Sequence, residues 1–136
     1  MQTKLLTLLT LLVLTIGSTS LLAKQKPFLI HGKLPHLTGT IMQLWDDEDL
    51  ALTPEQKTKL KQIRLRTIGG LGTIKGEVFP LEAEIVEAST NGTKPESLEE
   101  DVEKLAELRA EATMIHLNCI YDTRKVLTKK QLQLIE

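Results

Sequence analysis

The sequence predicts an all-α protein built on a long antiparallel helical hairpin with short flanking helices. Three observations predict it. The pattern L-T-x-x-Q occurs twice, as Leu52-Thr53-Pro54-Glu55-Gln56 and as Leu127-Thr128-Lys129-Lys130-Gln131, and each copy spells a helix start. Between the copies, two long segments carry apolar residues at three- and four-residue steps, the period of one helix face. The aromatic content is only 3%, so the core is a matter of Leu, Ile, Val and Ala, which suits packed helices.

The capping chemistry explains the repeated motif. A threonine at the N-cap accepts a hydrogen bond from the N3 amide, and a glutamine at N3 reaches back to the N-cap amide. Pro54 falls at the first helical position, where a missing N–H costs nothing. In the second copy Leu127 and Leu132 are placed to form a hydrophobic staple; in the first copy the equivalent of Leu132 is Lys57 and the staple is absent.

Ahead of the first motif, residues 1–23 read as a secretory signal. Lys4 gives a charged start, Leu5 to Ile16 an apolar run, and Gly17 to Ala23 a small-residue end, with cleavage after Ser20 or Ala23. The run is shorter than the ~20 residues that a membrane-spanning helix needs. Residues 24–44 form a flexible lead-in and a short first helix. Lys24 to Leu34 contains Pro27 and Gly32 and shows no period. Pro35 to Leu44 places Leu37, Ile41 and Leu44 on one face, with Trp45 beside it. The acidic run Asp46-Asp47-Glu48-Asp49 then leads into the hairpin domain, residues 45–136, where it suits a helix N-terminus.

The second helix starts at Pro54. Leu60, Ile63, Thr67, Gly70, Ile74, Val78, Leu81 and Ile85 make a continuous seam. Gly69, Gly70, Gly72 and Gly76 weaken it, and Pro80 removes an amide donor opposite the carbonyl of Gly76. Asn91-Gly92 stops the helix and Pro95 blocks its continuation. Ser97 is expected to cap the third helix, with Glu100 at N3. Its seam runs Leu98, Val102, Leu105, Ala112, His116, Cys119 and Val126, with Arg109 and Thr123 as polar members. A helix this long needs packing to persist, so it pairs antiparallel with the second. A fourth helix starts at Thr128.

A formal net charge of −1 gives no argument for nucleic-acid or membrane binding. Cys119 is the single cysteine, so no internal disulfide supports the fold. No nucleophile–base–acid set appears with usable spacing, which argues against an enzyme. Two candidate sites remain. Lys57, Lys59, Lys61, Arg64 and Arg66 form a basic run at the motif end, and Lys57, Lys61 and Arg64 are the candidate partner-binding residues. His116 and Cys119 lie three apart on one helix face, and imidazole plus thiolate suits Zn, Cu, Ni or Co. Two ligands are too few for a closed site. His31, His36, Met42 or a second chain, in a homodimer formed along the seam near Cys119, would have to supply the rest.

The paired motif, the export signal and the helical hairpin between the copies resemble the Spy/CpxP family of periplasmic stress proteins, over roughly Trp45 to the end of the sequence. Leu52, Thr53, Gln56, Leu127, Thr128 and Gln131 carry the resemblance, together with Ile120-Tyr121 leading into the second copy. The resemblance implies a curved, dimerising all-α hairpin in the periplasm. It also implies one of three roles: an ATP-independent chaperone for unfolded or misfolded envelope proteins, an adaptor for the periplasmic domain of an envelope-stress sensor kinase, or a binder of zinc, nickel or cobalt.

Overall fold

Thr53 and Thr128 each end an extended stretch of backbone and begin a helix in the computed structural model, which describes residues 26–136. The expected signal, residues 1–23, lies outside the described residues. The described residues form four α-helices in sequence: α1 (Leu37–Gln43), α2 (Pro54–Thr90), α3 (Glu99–Val126) and α4 (Lys129–Ile135). Among the described residues there is no strand, and no helix is long and apolar enough to cross a membrane.

Both capping boxes form. The Gln56 amide donates to Thr53 Oγ1 at 3.1 Å, and the Thr53 amide donates to Gln56 Oε1 at 3.0 Å. The second copy repeats this at 3.2 and 2.9 Å between Thr128 and Gln131. The two glutamines then meet each other. Gln56 Nε2 lies 2.8 Å from Gln131 Oε1, and Gln131 Nε2 lies 3.1 Å from Gln56 Oε1. Each amide also donates to a carbonyl near the other motif: Gln56 to Val126 O at 3.0 Å, Gln131 to Leu50 O at 2.9 Å. The start of α2 is thus clasped to the start of α4. Glutamate would cap equally well, but only an amide donates and accepts at once.

The α2 and α3 helices pack antiparallel. Arg66 pairs with Asp122, Gly70 faces Ile115, and Arg109 pairs with Glu82 at 2.7 Å, so position falls along one helix as it rises along the other. Leu60, Ile63, Thr67, Ile74, Val78 and Leu81 are the buried face of α2, at the seam positions that the period indicates. Among the glycines of α2, Gly70 is the one that packs on α3: a Cβ there would lie 3.0 Å from Ile115 Cδ1. Pro80 leaves α2 continuous. It and Gly76 both face solvent, where water can reach the carbonyl that lost its donor. At the far end the Gly92 amide donates to Ser89 O and the Thr93 amide to Ala88 O, with Gly92 at φ +83°. That is a Schellman stop, and glycine tolerates the left-handed conformation it needs.

Three local expectations are corrected. Ser97 does not cap α3. Pro95–Leu98 form a 3-10 turn that begins after extended Lys94, the Ser97 amide donates to Lys94 O, and α3 starts at Glu99 without a side-chain cap. Proline fixes the turn two residues earlier than a serine cap would. The first helix is shorter than residues 35–44, because His36 supplies no side-chain cap and the regular turns span Leu37–Gln43. Residues 26–36 are non-helical, as Pro27 and Gly32 suggest, but they are packed: Pro27 and Phe28 are buried against the hairpin.

The core has two centres. Ile41, Leu60 and Leu127 are buried together under Trp45, Leu52, Val126, Leu132 and Ile135, which joins all four helices at the clasp. The Leu127–Leu132 staple falls inside this group. Phe28, Ile74, Val78 and Ala112 form the second centre, half-way along the hairpin.

Candidate functional site

Residues 26–36 lie across the middle of the hairpin as a strap. Its hydrogen bonds to α3 are made with main-chain atoms. The Leu29 amide donates to Thr113 Oγ1 at 2.9 Å, and Arg109 Nη1 donates to Lys26 O at 3.1 Å and Phe28 O at 3.5 Å. The same guanidinium holds Glu82 of α2, so Arg109 ties both helices and the strap together. The seam rhythm already marked Arg109 as a polar residue in an apolar position, and this triple contact is the reason. The Phe28 side chain, 6% exposed, fills the space between Ile74, Val78 and Ala112. Burying such a ring stabilises by about 1.5–3 kcal/mol.

His116 is sandwiched in the same place. Its ring stacks on Phe28 at 5.0 Å between centroids and on His36 at 4.8 Å. Burial lowers its pKa below the ordinary histidine value, and His36 and Lys26 add to this, against an opposing pull from the Pro35 carbonyl. His36 is lowered as well, by burial and then by Lys26, whose Nζ lies 3.3 Å from His36 Nε2. The buried Nδ1 of His116 has no hydrogen-bond partner among the described residues. Cys119, one turn on, is a buried free thiol with its Sγ 3.9 Å from Thr38 Oγ1 of α1. The seam at His116 and Cys119 is therefore covered by the strap and α1 of the same chain. Of the further ligands expected for a metal, the structure brings His36 to His116, while His31 and Met42 are exposed. Among the described residues no three His, Cys, Asp or Glu side chains converge on a point that would hold an ion.

The basic run at the motif end is largely engaged. Lys57 pairs with Asp46 at 2.7 Å, and the ammonium groups of Lys57 and Lys61 sit 5.5 and 5.3 Å from the Trp45 ring centroid. Lys59 pairs with Glu55, Arg66 with Asp122, and Arg124 with Glu136. The acidic run before Leu52 has structural roles: Asp47 Oδ1 accepts the amides of Asp49 and Leu50, and Asp46 neutralises Lys57.

Beside these pairs α2 presents a different surface. Leu65 is 71% and Ile68 51% exposed. Helical spacing puts them on one stripe with Lys61, Arg64 and Lys75. Arg64, Ile68 and Lys75 also line a cavity of about 260 Å³ that extends under the strap to His116 and Cys119. Leu65 and Ile68 lie off the buried seam, so the period does not mark them; two large apolar residues outside it are the signal in the sequence. The chain matches no protein-family model, no curated protein and no solved structure.

Proposed function

We propose that the protein is an exported, periplasmic binding protein of Spy/CpxP type. It holds unfolded or misfolded envelope proteins without ATP, or docks on the periplasmic domain of a sensor kinase. The observation that carries this reading is the stripe on α2: exposed Leu65 and Ile68 flanked by Lys61, Arg64 and Lys75. An apolar strip with a cationic border suits segments of chain that are apolar and acidic, and its charges favour fast encounter. The clasped L-T-x-x-Q pair supports the family resemblance because it gives both glutamines a shared task.

Suppressed aggregation of a chemically denatured client, measured without nucleotide, tests the reading. Leu65→Ser with Ile68→Ser should weaken the suppression while leaving the unfolding midpoint nearly unchanged, since both side chains are exposed. Reversing the charges of Lys57, Lys61 and Arg64 should slow association with an acidic client. Salt at ~0.5 M, where the screening length falls to a few ångströms, should do the same. Part of the Lys57 effect will come from loss of its Asp46 pair. Heavy-metal binding is the alternative role in the same family. His116 and Cys119 would hold zinc, copper, nickel or cobalt only with donors from elsewhere, and titrating the purified protein with each metal measures it.

A further inference from the structure

We propose that the groove under residues 26–36 is a peptide-binding site. The strap is its built-in competitor, and the natural occupant is an extended segment of an unfolded client bearing one aromatic residue. This rests on the reading of the protein as a binder of unfolded chains, and it identifies the part of a client that is recognised.

The strap shows the recognition chemistry. Thr113 accepts from a main-chain amide and Arg109 donates to two main-chain carbonyls. None of these contacts depends on which side chains the extended segment carries. The strap side chains that the groove encloses are Pro27, which is buried, and the Phe28 ring, which lies between Ile74, Val78 and Ala112 and is stacked on His116. Leu29 and Ile30 point outward and are half exposed. Any extended segment with an aromatic ring in register satisfies the same partners.

The strap is also suited to leave. It has no secondary structure, and it turns at Gly32 (φ +119°) and Lys33 (φ +59°). The left-handed conformation is unfavourable at a lysine, and undocking relieves it. Its departure would open the groove into the cavity already lined by Arg64, Ile68 and Lys75. The exposed stripe and the covered groove would then form one continuous surface.

While the strap is docked, only the undocked fraction of the protein accepts a client, so apparent affinity falls by that fraction. The test uses the full chain and a fluorescent peptide with the sequence of residues 26–36, followed by anisotropy. Phe28→Ala loosens the strap by removing its anchor. Leu29→Pro loosens it by removing the amide that Thr113 accepts, and leaves every core side chain in place, so it covers the case in which Phe28→Ala unfolds the hairpin. Both variants should bind the peptide roughly tenfold more tightly than the parent. The same peptide with alanine in place of its phenylalanine should bind at least tenfold more weakly, and adding Thr113→Val to Leu29→Pro should reverse the gain. Equal binding by the parent and a folded Leu29→Pro variant overturns the proposal. So does concentration-dependent dimerisation of Leu29→Pro in place of peptide binding, which assigns the groove to the strap of a second copy. Aggregation suppression is read in parallel. Suppression that Leu29→Pro leaves unchanged defeats the groove and spares the chaperone reading, whereas tighter peptide binding with no suppression by any variant does the reverse.

Discussion

At the motif end of the hairpin, Ile41, Leu60 and Leu127 are buried in contact with one another, and two capping boxes are locked by a reciprocal amide pair. At the turn end, from residue 82 to residue 111, no side chain is fully buried, and Val86 and Val102 are 60% and 50% exposed. Both ends belong to the same pair of helices with the same apolar period. The difference is what lies against the pair. The clasp end has α1, Trp45 and α4 laid over it; the turn end has only the opposite helix. Two helices alone cannot enclose a core, because each leaves most of its girth to solvent. Stability in this molecule should therefore be graded along the hairpin, with local opening easiest at the turn.

The largest expected effect tests that gradient directly. Leu60→Ala at the clasp, where the side chain is 2% exposed, should cost about 2–4 kcal/mol through lost burial and the cavity left behind. Val102→Ala at the turn should stay within about 0.5 kcal/mol. Denaturant midpoints of the two variants check this, and similar losses at both sites would mean that the ends are equally well packed.

Next in size is the clasp itself. Gln131→Glu retains a residue that completes a capping box but removes the amide donor to Leu50 O and Gln56 Oε1 and turns an anion towards them. A loss of about 1–3 kcal/mol is expected, the cost of burying groups without their partners. A smaller loss, ~1 kcal/mol, is expected for Thr53→Ala or Thr128→Ala, which remove a cap and leave both glutamines in contact. Equal losses for all three variants would reduce the motif to capping alone.

The seam of α2 was legible in the sequence because a helical period reports burial directly, and Leu60, Ile63, Thr67, Ile74, Val78 and Leu81 occupy it as expected. The helix stop at Asn91-Gly92 was legible because its geometry needs glycine. The Gln56–Gln131 pair was not, since capping already accounts for a glutamine in each copy and nothing local says that the two starts meet. The strap was hidden for a related reason. It is held by main-chain hydrogen bonds and by the rings of Pro27, Phe28 and His36, and neither leaves a periodic pattern. Ser97 has the chemistry of a cap, but Pro95 sets the backbone two residues earlier, and local side-chain chemistry does not show which of the two prevails.

The smallest expected effect lies between the two ends, where the strap meets His116, and its sign follows from the surroundings. Burial lowers the pKa of both His116 and His36 below the ordinary value of 6.5. The charged residues lining the cavity beside them are Lys26, Arg64 and Lys75, all cations, with no carboxylate among them. A second cavity beside the two rings adds Lys33, another cation, and the Phe28 ring, the Pro35 carbonyl and Thr38 nearby carry no charge. The unfolded chain therefore takes up protons at these histidines at a higher pH than the folded chain does. Stability is fully present above about pH 6.5 and is lost as pH falls from there through the lowered folded values. Glu55 is also lowered, chiefly by its hydrogen bond to Lys59, but from 4.5, so its contribution is lost in a separate and more acidic window. Unfolding midpoints measured between pH 8 and pH 5 should fall below pH 6.5. In His116→Gln the decline should be shallower, because one of the two titrating groups is gone. Thr128→Ala weakens the clasp without adding a titrating group, so it should leave the decline from pH 6.5 to 5 as steep as in the parent. A midpoint that is flat across this range in the parent, or a decline untouched by His116→Gln, would place the pH response outside the strap.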